Sequence, residues 1–279
     1  MKRIVALKKL VELPKYIFLA VALIITLFPI YWVLTTSLKV EKEFYATPPI
    51  WIPSQPTIAH YVNLFSNYNA LSFINNSTII ALSSSILVMI LSIPTAYAIS
   101  KYKVGGEKFS FWILCMRMLP PVVIVIPLFM LFSKLGLVDT YIGLILPYLI
   151  FNIPFAVWLL KGFFSDIPNE LHESACVDGC TEMTALIRII LPLITPGLVV
   201  VFLFCFIFTW NDLIMVLTLS RKNTGTLMML LASTMQSPTG MYFGEAAAVA
   251  AIGIVPIFIL TLLMQRYIVR GLTLGGVKG

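Results

Sequence analysis

Long apolar runs alternate with short polar segments along the whole chain. Runs of spanning length cover Tyr16–Thr36, Phe73–Ile99, Ser110–Phe132, Tyr141–Phe163, Leu191–Leu217 and Ala246–Ile268. Each exceeds the roughly 20 residues a helix needs to cross about 30 Å of hydrocarbon. The pattern predicts an all-α integral membrane protein with six transmembrane helices, organised as a single domain over 1–279. The longer spans must tilt, kink or protrude.

The polar island in the 164–190 loop, between the fourth and fifth runs, runs from Asp166 to Glu182. Pro168 suits the first turn of a helix, Asp166 is placed to cap it, Glu170 and Glu173 favour its positive end, and Gly179 can end it in a left-handed conformation. The spacing therefore predicts one short, self-contained helix. Leu171, Ser174, Ala175 and Asp178 recur at three- and four-residue intervals, giving a small, semi-apolar face suited to a groove.

Composition agrees with a membrane setting: 59% of residues are hydrophobic, only 11% are charged, and the mean hydropathy is +0.98. Basic residues set the orientation, because loops rich in Lys and Arg stay in the cytoplasm. Thirteen lie in the amino-terminal segment, the 100–109 loop, the island loop and the 269–279 tail with its approach, against five in the opposite loops. Both termini and the island are expected to be cytoplasmic, and the net charge of +7 is topology rather than a nucleic-acid signal. A cleaved signal peptide is disfavoured, since the first apolar run is too long and no small-residue cleavage site precedes Lys39.

The chemistry that is missing narrows the function. The chain has no Gly-rich phosphate loop, nucleophile elbow or His-Glu-x-x-His, and only two histidines, His60 and His172. No catalytic residue, metal or cofactor is expected in it. Cys176 and Cys180 are read as structural thiols, not as part of a metal-ligand pattern. Ten prolines inside the apolar runs favour a bent, cavity-lining bundle over a plain anchor, although membrane helices in general tolerate proline.

Two intramembrane polar groups are candidates for a solute path. Arg117 lies near one end of its span and is read as snorkelling to the interface, with a role facing a water-filled cavity as the alternative. Trp210, Asn211 and Asp212 lie near the outer end of the fifth span. They are read either as an interfacial belt with a solvated acid or as a polar lip that bonds a hydroxylated solute beside an aromatic face. The outer segment 38–71, rich in proline and aromatics, suits contact with an external protein or a stiff connector on the membrane surface.

The island, with Glu173-Ser174-Ala175, Asp178-Gly179, Leu191-Pro192 and Pro196, resembles the "EAA" coupling loop of permease subunits in binding-protein-dependent ABC importers. Ser174 stands where that family usually has Ala, and it is small enough to keep close packing. Gly136-Leu137-Val138-Asp139-Thr140, Asn152-Ile153-Pro154-Phe155 with Trp158, and Trp210-Asn211-Asp212 resemble the carbohydrate branch. The ending from Gly271 to Gly279 is similar to the tail of the second permease of maltose-type sugar importers.

The resemblance implies a plasma-membrane subunit, bacterial or archaeal, that pairs with a second permease and contacts lipid but no nucleic acid. It implies a cytoplasmic ATPase dimer holding ATP and Mg, and an extracytoplasmic solute-binding protein. Leu171 is then the apolar anchor on the ATPase, Glu173, Ser174, Ala175, Asp178 and Gly179 make its contact, and Gly275, Gly276 and Lys278 reach it from the tail. A stand-alone secondary carrier or channel is the competing class, and it would show inverted repeats, of which none is evident between the halves.

Overall fold

The computed structural model describes residues 2–235 and 242–274. The chain divides into two compact units, Met1–Asn69 with Leu231–Ile254, and Ala70–Leu230 with Val255–Gly279. Among the described residues four helices are long and apolar enough to cross a membrane. The count reaches six if each of two sharply bent helix pairs is one span.

In the first unit, helix α1 (Lys2–Thr36) carries the apolar stretch Pro14–Thr36, none of which is buried within the chain. Its Ile, Leu and Phe side chains therefore face lipid or a partner. The segment beyond it is tied down by its own side chains. Tyr31 donates to the Trp51 carbonyl at 2.8 Å, Trp51 packs edge-on against Trp32, and the buried Lys39 ammonium lies 4.0 Å over the Trp32 ring. After α2 (Glu41–Phe44), the helix α3 (Ala59–Ser66) brings His60 to 2.9 Å from the Lys39 carbonyl and 3.4 Å from Glu245. The outer segment, read from sequence as either a contact for an external protein or a stiff connector, is thus folded against its own unit.

The second unit is built on α4 (Ala70–Tyr102) packed along α7 (Tyr141–Ser165). The face of α4 turned inward carries Ala81, Ser84, Ser85, Ser92 and Ala96, all buried. Small residues let two backbones approach closely where lipid supplies no hydrophobic drive to associate. Buried polar groups tie both helices to Thr209 on a third, Thr195–Trp210: Asn152 donates to the Thr209 hydroxyl at 3.1 Å, and Ser84 donates to Thr209 at 3.3 Å.

Two expected spans are broken. Ser110–Phe132 divides into α5 (Gly106–Met116) and α6 (Pro121–Lys134), bent by 78°. Pro120 is extended (φ −62°, ψ 129°) and neither Pro120 nor Pro121 has an N–H to continue the ladder, so the helix stops and restarts. Leu191–Leu217 is replaced by α9 (Glu182–Leu193) and α10 (Thr195–Trp210), bent by 81°. A π-helical turn at Leu186–Ile190 and prolines at 192 and 196 account for this second break. Helix α10 ends at Trp210, and Ile214–Leu219 forms a separate short helix, α11. Beyond α12 (Leu227–Met235), the last helix α13 (Phe243–Leu274) runs past the expected end at Ile268. The tail residues Gly275, Gly276 and Lys278 lie outside the described residues.

One loop acid organises the end of this unit. Asp139, in a left-handed conformation (φ 60°), accepts hydrogen bonds from the backbone N–H groups of Arg221 (2.9 Å), Lys222 (3.1 Å), Asn223 (3.0 Å) and Thr224 (3.1 Å). The Asn223 amide and Thr224 hydroxyl add bonds at 2.9 and 3.0 Å. Burial pushes the Asp139 carboxyl up, but these donors outweigh it and hold the pKa at about 2. The carboxylate thus staples the turn between α6 and α7 to the strip that follows α11.

Because the folded pKa lies below the unfolded value of about 3.9, this contribution is complete above about pH 4 and is lost as pH falls toward about 2. Asp139→Ala is expected to cost at least about 1.5–3 kcal/mol at pH 7. In thermal melts in detergent, the gap between wild type and variant should close on acidification through that window. A separate substitution tests close packing: a Cβ on Gly143 would lie 2.0 Å from the Leu137 carbonyl oxygen. Backbone cannot yield cheaply, so Gly143→Ala is expected to destabilise by about 1–3 kcal/mol in the same assay.

Candidate functional site

The polar island folds as α8 (Asn169–Val177). Its C-terminal end is closed by two bonds: Cys180 N–H bonds the Ala175 carbonyl at 3.0 Å and Gly179 N–H bonds the Cys176 carbonyl at 3.0 Å. Gly179 sits at φ +86°, with open space where a side chain would stand. This is the double-bonded glycine cap that ends helices. Its N-terminal end differs from expectation. Pro168 is the N-cap residue, not the first helical one, and no side chain caps α8. Asp166 instead closes the end of α7, its N–H bonding the Gly162 carbonyl at 3.3 Å.

One side of α8 is seated on the body of its own unit. His172 and Ala175 are buried, and His172 lies against Lys101 from the last turn of α4 and 2.7 Å from Glu182 at the start of α9. Lys101 in turn bonds Glu182 at 3.1 Å. The expected groove-facing role of Ala175 is therefore corrected: its small side chain lets α8 lie close to its own unit. The opposite side is open. Leu171, Glu173, Ser174, Asp178 and Gly179 are exposed, and Val177 is 87% exposed. Sequence reasoning missed Val177. Its signal was the i, i+3, i+6 row of Leu171, Ser174 and Val177, which makes a strip of apolar and small residues along the free face.

A second constellation lies in the bundle. A cavity of about 310 Å³ is lined by Arg117, Tyr148, Phe151, Asn152, Phe208 and Asp212, with Leu119, Pro121 and Met215. Asp212 accepts from the Tyr148 hydroxyl at 3.0 Å and from the Met215 N–H at 2.9 Å, so it holds the first turn of α11 while facing the cavity. Arg117 does not snorkel. It ends α5 at the break before Pro120, and its guanidinium turns inward to donate to the Phe151 carbonyl at 2.7 Å and the Asn152 side-chain oxygen at 3.1 Å. The Phe208 ring centre is 4.5 Å away and that of Phe155 5.3 Å, within cation–π range.

Of the three residues expected at a polar lip, only Asp212 lines this cavity. Trp210 is buried, stacked 5.5 Å from Phe206, and so presents no face to a solute. Asn211 is exposed and bonds back to the Ile207 carbonyl at 3.0 Å. Tyr148, Phe208 and Asn152 were not singled out as cavity residues from sequence. A polar Asn amid an apolar run was the available signal for Asn152.

The island also gathers donors that sequence reading set aside. His172 precedes Cys176 by one helical turn, and together with Glu182 they offer ligand atoms within 4.8 Å of one another.

Comparison with known proteins gives the family. Residues 88–274 match the model of the binding-protein-dependent transport system inner membrane component. The chain is 33% identical over 273 residues to the sulfoquinovosyl glycerol transport system permease protein SmoH of Agrobacterium fabrum, covering 95% of this chain and 93% of that one. It is 32% identical over 262 residues to the diacetylchitobiose uptake system permease protein DasC of Streptomyces coelicolor, covering 93% and 95%. In fold it is similar, with a TM-score of 0.76 at 20% identity over 93% of this chain and 97% of the other, to a chain in the crystal structure of a bacterial ABC transporter involved in the import of the acidic polysaccharide alginate. A broken-helix membrane bundle with a short capped helix between its apolar runs, matched at this level over nearly its whole length, belongs to the family of inner membrane components of binding-protein-dependent transport systems.

Proposed function

We propose that the chain is one of two permease subunits of an ATP-driven importer for a sugar or oligosaccharide. The observation that carries this reading is α8: a self-contained, glycine-capped helix held on one side by Lys101, His172 and Glu182 and free on the other. A helix of that kind is a docking element. In an ABC importer its free face, with Leu171 as apolar anchor and Glu173, Ser174, Val177 and Asp178 around it, seats in a cleft of a cytoplasmic ATPase.

The ATPase dimer holds ATP and Mg, and its closure moves α8 and the matching helix of a second permease, opening the pathway to the other side. An extracytoplasmic binding protein delivers the solute. Both termini and α8 then lie in the cytoplasm, in keeping with the excess of Lys and Arg in those segments. The sugar reading is supported by the named substrates of SmoH and DasC. It is also supported by a cavity that sets hydrogen-bonding Arg117, Asn152 and Asp212 beside the rings of Tyr148, Phe151 and Phe208, the mixture a hydroxylated ring needs.

Gly179→Asp tests the coupling. The new residue is strained at φ +86°, at a cost of about 1–2 kcal/mol, and places a carboxylate at the edge of the docking face. Uptake by cells or proteoliposomes carrying the full transporter is expected to fall to background while membrane insertion is unchanged. Normal uptake would overturn the docking role. At the cavity, Asp212→Ala is expected to lower uptake at least about tenfold, because it strips an acceptor from the Tyr148 hydroxyl and from the first turn of α11. Asp212→Asn, which keeps an acceptor oxygen, should lose less. Transport assays at matched expression separate the two.

A further inference from the structure

Three metal-ligating side chains converge beneath α8, two of which, His172 and Glu182, also seat the helix on its unit. His172 and Cys176 are four residues apart, so the helix itself sets both on one face. Glu182 arrives from the first turn of α9, on the far side of the glycine cap. Its carboxylate oxygen is 2.7 Å from His172 Nε2, while Cys176 Sγ is 3.6 and 3.9 Å from the two ring nitrogens.

Those separations have a chemical meaning. A tetrahedral Zn²⁺ with bonds of about 2.3 Å to sulfur and about 2.0–2.1 Å to nitrogen keeps its two ligands about 3.5 Å apart. The thiol stands at that spacing from Nδ1 and at 3.9 Å from Nε2, the nitrogen that Glu182 faces, so an ion held by all three draws Glu182 back from its 2.7 Å hydrogen-bonding distance. A mixed sulfur, nitrogen and oxygen set suits a borderline ion such as Zn²⁺ or Co²⁺, and not Mg²⁺ or Ca²⁺, which take oxygen ligands.

The cluster is also visibly a place for positive charge. The Lys101 ammonium lies against the His172 ring and 3.1 Å from Glu182, with its side chain only 19% exposed. Lys101 extends from the last turn of α4, so its long flexible stem can carry the ammonium out to solvent. His172 is 95% buried and fixed beside the Tyr97 ring at 6.2 Å, which removes one ligand's orientational freedom before any ion arrives.

We propose that His172, Cys176 and Glu182 form a binding site for a divalent ion of the Zn²⁺ class, which takes the place of the Lys101 ammonium and clamps α8 to the start of α9. The imidazole binds in its neutral form, the thiol gives its proton to solvent as the sulfur–metal bond forms, and water completes the fourth position. The site stands on its own geometry and does not depend on what the chain transports.

The test is a Co²⁺ titration of the full-length chain, purified in detergent through a tag without histidine. One equivalent should bind with a thiolate-to-cobalt charge-transfer band and the visible spectrum of a tetrahedral ion, and Zn²⁺ should displace it. Cys176→Ser should abolish the charge-transfer band, and Cys180→Ser should leave it intact. His172→Ala and Glu182→Gln should each weaken binding at least about tenfold, since loss of even an outer-shell partner costs that much. Lys101→Met removes the competing cation and should tighten binding severalfold, a gain that no merely destabilised protein would give. Absence of the band in wild type, its survival in Cys176→Ser, or unchanged affinity in Lys101→Met would overturn the site.

Discussion

The close contact between α4 and α7 is the constraint on which the second unit depends. In a bilayer the apolar side chains gain little by leaving lipid for one another, so association must come from short backbone separation and polar bonds across the interface. The inward row of Ala81, Ser84, Ser85, Ser92 and Ala96 supplies the first. The Asn152, Thr209 and Ser84 side chains supply the second and bring α10 onto the pair. Larger residues along that row would push α7 outward, and with it every group that α7 carries into the cavity.

From that frame the two constellations follow. Helix α7 contributes Tyr148 and Asn152 to the cavity and ends at Ser165, just before α8 begins. The backbone from Glu182 to Asp212 joins the same two places, because Glu182 touches the buried face of α8 and Asp212 lines the cavity. The 81° bend between α9 and α10 lies on that path. The prolines that break the two expected spans therefore do positional work: the first break turns Arg117 inward, and the second lets a single stretch of chain serve both the island and the cavity.

Much of this was legible in the sequence because hydropathy and helix-ending chemistry are local. The apolar runs, the short island helix and its glycine all follow from residues within a few positions of each other. What was not legible depends on partners far along the chain. Ala175 looked like part of a free face because spacing cannot tell which side of a helix meets α4 and α9. Trp210 looked like an interfacial aromatic until Phe206 and the surrounding helices covered it. Asp139 and its ring of amide donors from 221–224 join segments some eighty residues apart, beyond any local pattern. Arg117 was misplaced because its direction is set by the break at Pro120, which periodicity alone does not reveal.

The central claim is that α8 is the point where an energy-supplying partner takes hold. The most direct measurement is to purify the tagged chain from its native membranes in mild detergent and identify the accompanying chains by mass spectrometry, with wild type and an α8-face variant, Leu171→Asp, side by side. Recovery of an ATPase and a second permease with wild type, and loss of the ATPase but retention of the second permease with Leu171→Asp, is the predicted result. Recovery of the wild-type chain alone, still able to move solute into liposomes under an ion gradient, would contradict the account.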